Sequence, residues 1–153
     1  MAIKESKTAK RDTLRFIRQD GSHEEIEMPR QGILPHDLVH AIVEQGFQLR
    51  GGFLSLVAHG ASPQFLLSKD LPKTTETGIA ESVVEAMQTQ LAQGYFDYES
   101  FRYGAEMACA SRQIYALAPL EPLSALSIFN EGIALNQQWQ PLTQTQTLTL
   151  HLK

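Results

Sequence analysis

His36 and His40 stand four residues apart in the segment LPHDLVH, and no other spacing in this sequence sets such complementary residue types together. On a helix advancing about 100° per residue from His36, His40 falls at about 40°, Glu44 at about 80° and Asp37 at about 100°. Val39, Val43 and Phe47 occupy the adjoining apolar arc. Two imidazoles at i and i+4 can aim ring nitrogens at one divalent ion, and a carboxylate beside them can ligate the ion or hold a water on it. His36, His40 and Glu44 are therefore the candidate metal ligands, Asp37 is the candidate catalytic group, and zinc is the natural ion. Spacing alone identifies no further ligand; His59, Glu99 and Glu106 are the candidates. The same residues also admit a plain structural role. Asp37 suits the positive end of a helix, and His36 and His40 can bond to neighbouring backbone at the border of the core.

Other constellations are weaker. Arg50-Gly51-Gly52 precedes a possible helix start at Phe53, so backbone N–H groups and a guanidinium can face a small anion there, although no P-loop or GxGxxG spacing exists. Cys109 lies among alanines on an apolar helical face, where a free thiol behaves as a small hydrophobe. No GxSxG segment marks a serine nucleophile. Tyr95, Phe96, Tyr98, Phe101 and Tyr103 have helical spacing and only Arg102 for charge, which reads as core rather than base stacking. Glu81 and Glu85 fall opposite the apolar stripe that begins at Ile79, which reads as a solvated face rather than an acid/base pair.

At 153 residues with 42% hydrophobic side chains, the chain suits one domain that buries its own core. One cysteine excludes an internal disulfide, and no apolar run of about 18 residues exists to cross a bilayer. The start, MAIKESKTAKR, lacks the apolar stretch of a secretory signal, so the expected location is the cytoplasm. Residues 1–18 carry a net charge of +4 and the remainder −8. An acidic body repels a phosphate backbone, so nucleic acid is not an expected partner. Residues 1–11 read as a basic, flexible arm and 12–153 as the single domain.

The elements that must position the histidines follow from periodicity. TLRFIRQDGSHEEIEM alternates apolar and polar residues around Asp20-Gly21-Ser22, which predicts a hairpin. A three-residue loop at 20–22 would pair Phe16 with Ile26, Leu14 with Met28, Arg15 with Glu27 and Arg18 with Glu24. The C-terminal LTQTQTLTLHLK reads as a third strand, with Leu148, Leu150 and Leu152 on one face. Between the strands the pattern is helical: Leu34-Pro35 to Gly46, a short helix or turn ended by Gly60, and the Ile79, Val83, Met87, Leu91 stripe closed by Gly94. A helix from about Tyr98 to Leu117 with Asp97 as its N-cap follows, then one from Pro122 toward Gln138. The expected fold is α+β: a small antiparallel sheet, made of the N-terminal hairpin and the C-terminal strand, packed against a layer of about four helices.

Two resemblances bear on these residues. His36-Asp37-Leu38-Val39-His40 is similar to the HExxH helix of zinc metallopeptidases, in which both histidines bind zinc and the intervening Glu is the general base. That likeness implies a metal-dependent hydrolase with His36 and His40 as ligands and Asp37, one methylene shorter than Glu, as the base. The run LPHDLVHAIVEQGFQLRGGFLSLVAHGA and the late Trp139–Leu150 segment resemble a group of small uncharacterised bacterial proteins. That resemblance implies bacterial origin and directs attention to residues 34–60. Three function classes remain: an interaction protein acting by binding, with a homodimer, another protein or a small molecule as partner; the metal-dependent hydrolase; and a small-anion binder at Arg50-Gly51-Gly52. The first is the default expectation, because sheet edges must be covered or otherwise managed.

Overall fold

The computed structural model of this chain describes residues 2–7, 11–29, 33–67, 74–143 and 146–152. The elements run β1 (Ala2–Lys7), β2 (Arg11–Ile17), β3 (His23–Pro29), α1 (His36–Gly46), α2 (Phe53–Ala58), α3 (Pro63–Leu66), α4 (Thr75–Gln93), α5 (Tyr98–Ser111), α6 (Pro122–Trp139) and β4 (Thr147–His151). The fold is α+β, as the periodicity predicts, with six helices among the described residues where about four were expected; α2 takes the helical option of the segment ended by Gly60, and α3 is the short addition.

The sheet has four strands in the order β3-β2-β1-β4, every neighbouring pair antiparallel. This corrects the expectation of a flexible basic arm at 1–11: Ala2–Lys7 is an interior strand, Arg11 opens β2, and residues 8–10 lie outside the described ones. The C-terminal strand therefore joins neither hairpin strand but pairs with β1.

The hairpin register also differs from the expected one. Leu14 pairs with Ile26, Phe16 with Glu24 and Arg15 with Glu25. The loop is three residues long but begins one position earlier, at Gln19: Gly21 N–H donates to Arg18 O at 3.0 Å and Arg18 N–H to Ser22 O at 2.9 Å. Gly21 decides the matter, because its φ of +83° fits the left-handed third loop position that a side chain resists. The expected and observed registers differ by two residues, a shift that leaves every side chain on its own face, so hydrophobic alternation cannot separate them. Arg15 pairs with Glu25 directly opposite it, whereas Arg11 reaches Glu27 diagonally and Arg18 keeps the expected Glu24 as its partner.

Leu14, Phe16, Ile26 and Leu148 of the sheet share one buried cluster with the helices. At its centre lies α1, buried from Asp37 through Glu44 and packed on α2, α4 and α6. A helix covered on so many sides cannot keep its polar stripe at the border of the core; the stripe is inside and must find polar partners. α4 is capped at its start by Thr74, whose hydroxyl accepts from Thr77 N–H, and at its end by Gly94 with φ +81°. α5 starts at the expected Asp97 cap but stops at Ser111, short of Leu117, because Gln113 takes a φ of +60° and the chain turns away. Tyr115, inside the expected helix, lies beyond its end and is exposed. No helix among the described residues is long and apolar enough to cross a membrane.

Candidate metal centre

α1 delivers His36 and His40 from its first turn and a half, and the chain meets them with Glu81 from the middle of α4. His40 Nε2 lies 3.1 Å from His36 Nε2 and 3.3 Å from Glu81 Oε1, while His36 Nε2 lies 3.7 Å from Glu81 Oε2. A tetrahedral ion with bonds of about 2.0–2.1 Å separates its ligand atoms by roughly 3.3–3.4 Å. The distances lie near that value, but the two rings face different Glu81 oxygens, so a small divalent ion would need the carboxylate to turn one oxygen toward both Nε2 atoms.

The other nitrogen of each ring is already held. His36 Nδ1–H donates to Gln88 Oε1 at 3.0 Å, and His40 Nδ1–H donates to Glu44 Oε1 at 2.9 Å. Glu44 sets the His40 tautomer, because both of its oxygens already act as acceptors, Oε1 from Leu54 N–H at 3.2 Å and Oε2 from Ser55 N–H at 2.9 Å. With both Nδ1 atoms protonated, neutral rings would present two Nε2 lone pairs to each other across 3.1 Å. A proton or a metal ion on the Nε2 side relieves that contact. Outer acceptors that orient ligating imidazoles in this way are the usual second layer of metal sites.

The electrostatics agree. Burial would depress His40, but its hydrogen bonds to Glu44 and Glu81 outweigh it and raise the imidazole to about 9. The hydrogen bond to Glu81 lifts His36 against burial and against the neighbouring His40. Burial would lift Glu81 in turn, yet His36 and His40 hold its carboxyl below the ordinary carboxylate range.

Of the residues singled out by spacing, the structure brings His36 and His40 together on one side of Glu81. Glu44 is placed behind His40 on the Nδ1 side, a supporting residue rather than one of the converging donors. Asp37 is buried outside the converging group, and burial raises its carboxyl against the pull of His40 and His36. His59 is exposed and bonded to Ser55 O, and Glu99 and Glu106 both pair with Arg102 on α5, so none of the three supplies the third donor. That donor is Glu81, which the helical wheel assigns to solvent; Gln88, seven residues on, shares its face. The solvated reading fails because α4 is packed by α1 as well as by α5 and α6. Its neighbour Glu85 pairs with Arg112.

The amides at the start of α2 do face an anion, and it is the chain's own Glu44 carboxylate. Gly52 makes room for it, since a Cβ there would land inside the carboxylate. The two donors that a small anion at Arg50-Gly51-Gly52 would use are thus taken. Cys109 is buried in the core face of α5. Compared with protein-family models, curated proteins and solved structures, the chain matches none.

Proposed function

We propose that this chain is a metalloprotein that holds one divalent transition ion, zinc by ligand type, on His36, His40 and Glu81. The observation that carries the reading is the convergence of two Nε2 atoms and a carboxylate within 4.8 Å, with both Nδ1 atoms committed elsewhere. Among the described residues no fourth protein donor joins them. Three protein ligands with a position left open is the pattern of catalytic rather than structural zinc, in which a bound water becomes acidic enough to attack near neutral pH. His36 and Glu81 are each about one-third exposed, so water reaches the group from their side. The centre therefore supports metal-assisted hydrolysis, with Glu44 and Gln88 as positioning residues.

The test is metal analysis of protein reconstituted with zinc and dialysed, alongside calorimetric titration of the chelator-treated chain. About one equivalent of zinc is expected. Glu44→Gln should weaken binding about 10–100-fold, as loss of an outer partner does, and His40→Ala or Glu81→Gln should weaken it further. Well under one equivalent in a folded wild-type chain, or titrations indifferent to Glu81→Gln, would overturn the reading.

The two sheet edges favour a second reading. β3 carries Glu24, Glu25 and Glu27 and ends in Pro29, features that discourage addition of another strand. β4, Thr-Leu-Thr-Leu-His, carries no acid, lysine or arginine and has β1 as its hydrogen-bonded neighbour. We read β4 as the edge on which a second copy pairs. Sedimentation at micromolar concentration should show a dimer that Thr149→Pro dissociates, and a monomeric wild type sinks the idea.

A further inference from the structure

A cleft of about 730 Å³ opens between the hairpin loop, the end of α1, α2 and Leu152. None of the three converging donors lines it; Glu44 is the residue it shares with the metal centre's surroundings. Its apolar wall is Ala41, Leu49, Leu54, Ala58 and Leu152, and its size falls within the usual range for small-molecule sites.

What distinguishes the cleft is how its charges are spent. Both acids that reach it are occupied: Asp20 accepts Ser22 N–H at 2.9 Å and Ser22 Oγ–H at 2.6 Å, and Glu44 accepts His40 and two amides. Arg18 is occupied as well, with Nε donating to Val57 O, Nη2 to Ala61 O, and an ion pair to Glu24. The Arg50 guanidinium, by contrast, makes no hydrogen bond or ion pair among the described residues, and it lines the same cleft. Among the described residues His59 is tied only through Nδ1, to Ser55 O at 2.7 Å, and its Nε2 has no partner on the same wall.

We infer that this cleft binds a small organic anion, with Arg50 holding the carboxylate or phosphate head and the apolar wall taking its body. A guanidinium matches either head with two parallel N–H donors. The wall supplies the affinity that a head group in open solvent lacks. Glu44 apart, the residues of this cleft are not those of the metal centre, so the two readings stand independently.

The experiment is calorimetric and NMR titration of the full chain, chelator-treated and zinc-loaded, with octanoate, octyl phosphate, inorganic phosphate, octanol and octylamine. One of the two anionic amphiphiles should saturate at one per chain, shift amides at Gln48, Leu54 and His59, and bind at least tenfold more tightly than octanol or inorganic phosphate. Whichever binds identifies the head. Arg50→Met, at an exposed position, should weaken it about tenfold or more, and Ala58→Phe, which fills the wall and leaves Arg50 intact, should do the same. The proposal is overturned if neither amphiphile saturates below about 10 mM. It is equally overturned if octanol binds as tightly as the anions or if Arg50→Met leaves affinity unchanged. A His36→Ala, His40→Ala chain that loses zinc should retain this binding, so failure of one site does not mask the other.

Discussion

Glu44 serves three donors with one carboxylate: the Nδ1–H of His40 and the amides of Leu54 and Ser55. It can do so only because residue 52 is glycine. Gly52→Ala should expel the carboxylate, leave a buried amide, a half-buried amide and an imidazole without their acceptor, and cost about 2 kcal/mol or more in urea denaturation. Zinc affinity should fall in parallel, through the loss of the group that orients His40; a variant of wild-type stability would contradict this account of Glu44. The metal-free chain also has a signed pH dependence. His40 rises from 6.5 to about 9 on folding, so its contribution is complete below 6.5 and is lost as pH climbs through about 9. Glu81 is lowered from 4.5, so its contribution is present above 4.5 and is lost as pH falls through its depressed value. Thermal melts in chelator should therefore show greatest stability between about pH 5 and 7 and a decline toward pH 10, reduced in Glu81→Gln. Added zinc should reverse the upper limb, because the metal needs the unprotonated rings and its stabilisation grows with pH.

At the scale of elements, what was legible in the sequence is what neighbours along the chain decide. Asp97, Gly94 and Pro122 mark their helix ends, and the structure places those ends at or beside them. The end of α5 was not legible, because Gln113 adopts a left-handed φ without glycine's chemistry to announce it. Two of the three donors of the candidate centre were legible for the same reason as the helix ends: His36 and His40 lie one turn apart on one helix. Glu81 comes from a helix 41 residues beyond His40, and no local pattern distinguishes it from the other acids. The hairpin lies between these cases, since alternation fixes its faces and the turn fixes its register. Gly21 should therefore be the residue on which the register depends. With open space around it, Gly21→Ala introduces no clash, only the left-handed strain of about 1–2 kcal/mol. Chemical denaturation should show a loss of that size; no loss at all would mean the turn holds its shape without glycine.

For the whole molecule the decisive strand is the one that the sequence hides. Lys4, Glu5 and Lys7 give Ala2–Lys7 the composition of a solvated arm, but an interior strand is defined by its backbone, and side-chain polarity is silent on which N–H and C=O groups are paired. β1 pairs with β2 along Ala2–Lys7 on one side and with β4 along Ala2–Ser6 on the other. It is the sole link by which β4 joins the sheet among the described residues. Leu148 reaches the common core from β4, so the first strand of the described chain seats the last one against the helices. Two measurements test this order. In native-state hydrogen exchange the amides of residues 3–6 should be protected to within about tenfold of those in β2, whereas a frayed arm exchanges near the unfolded rate. Removing residues 1–7 should then abolish protection at Leu148 and Leu150, while α4, packed on α1, α5 and α6, stays protected for as long as the chain remains folded. Protection of β4 that survives the deletion would mean that β4 pairs elsewhere, and would break the strand order on which both the core and the free β4 edge depend.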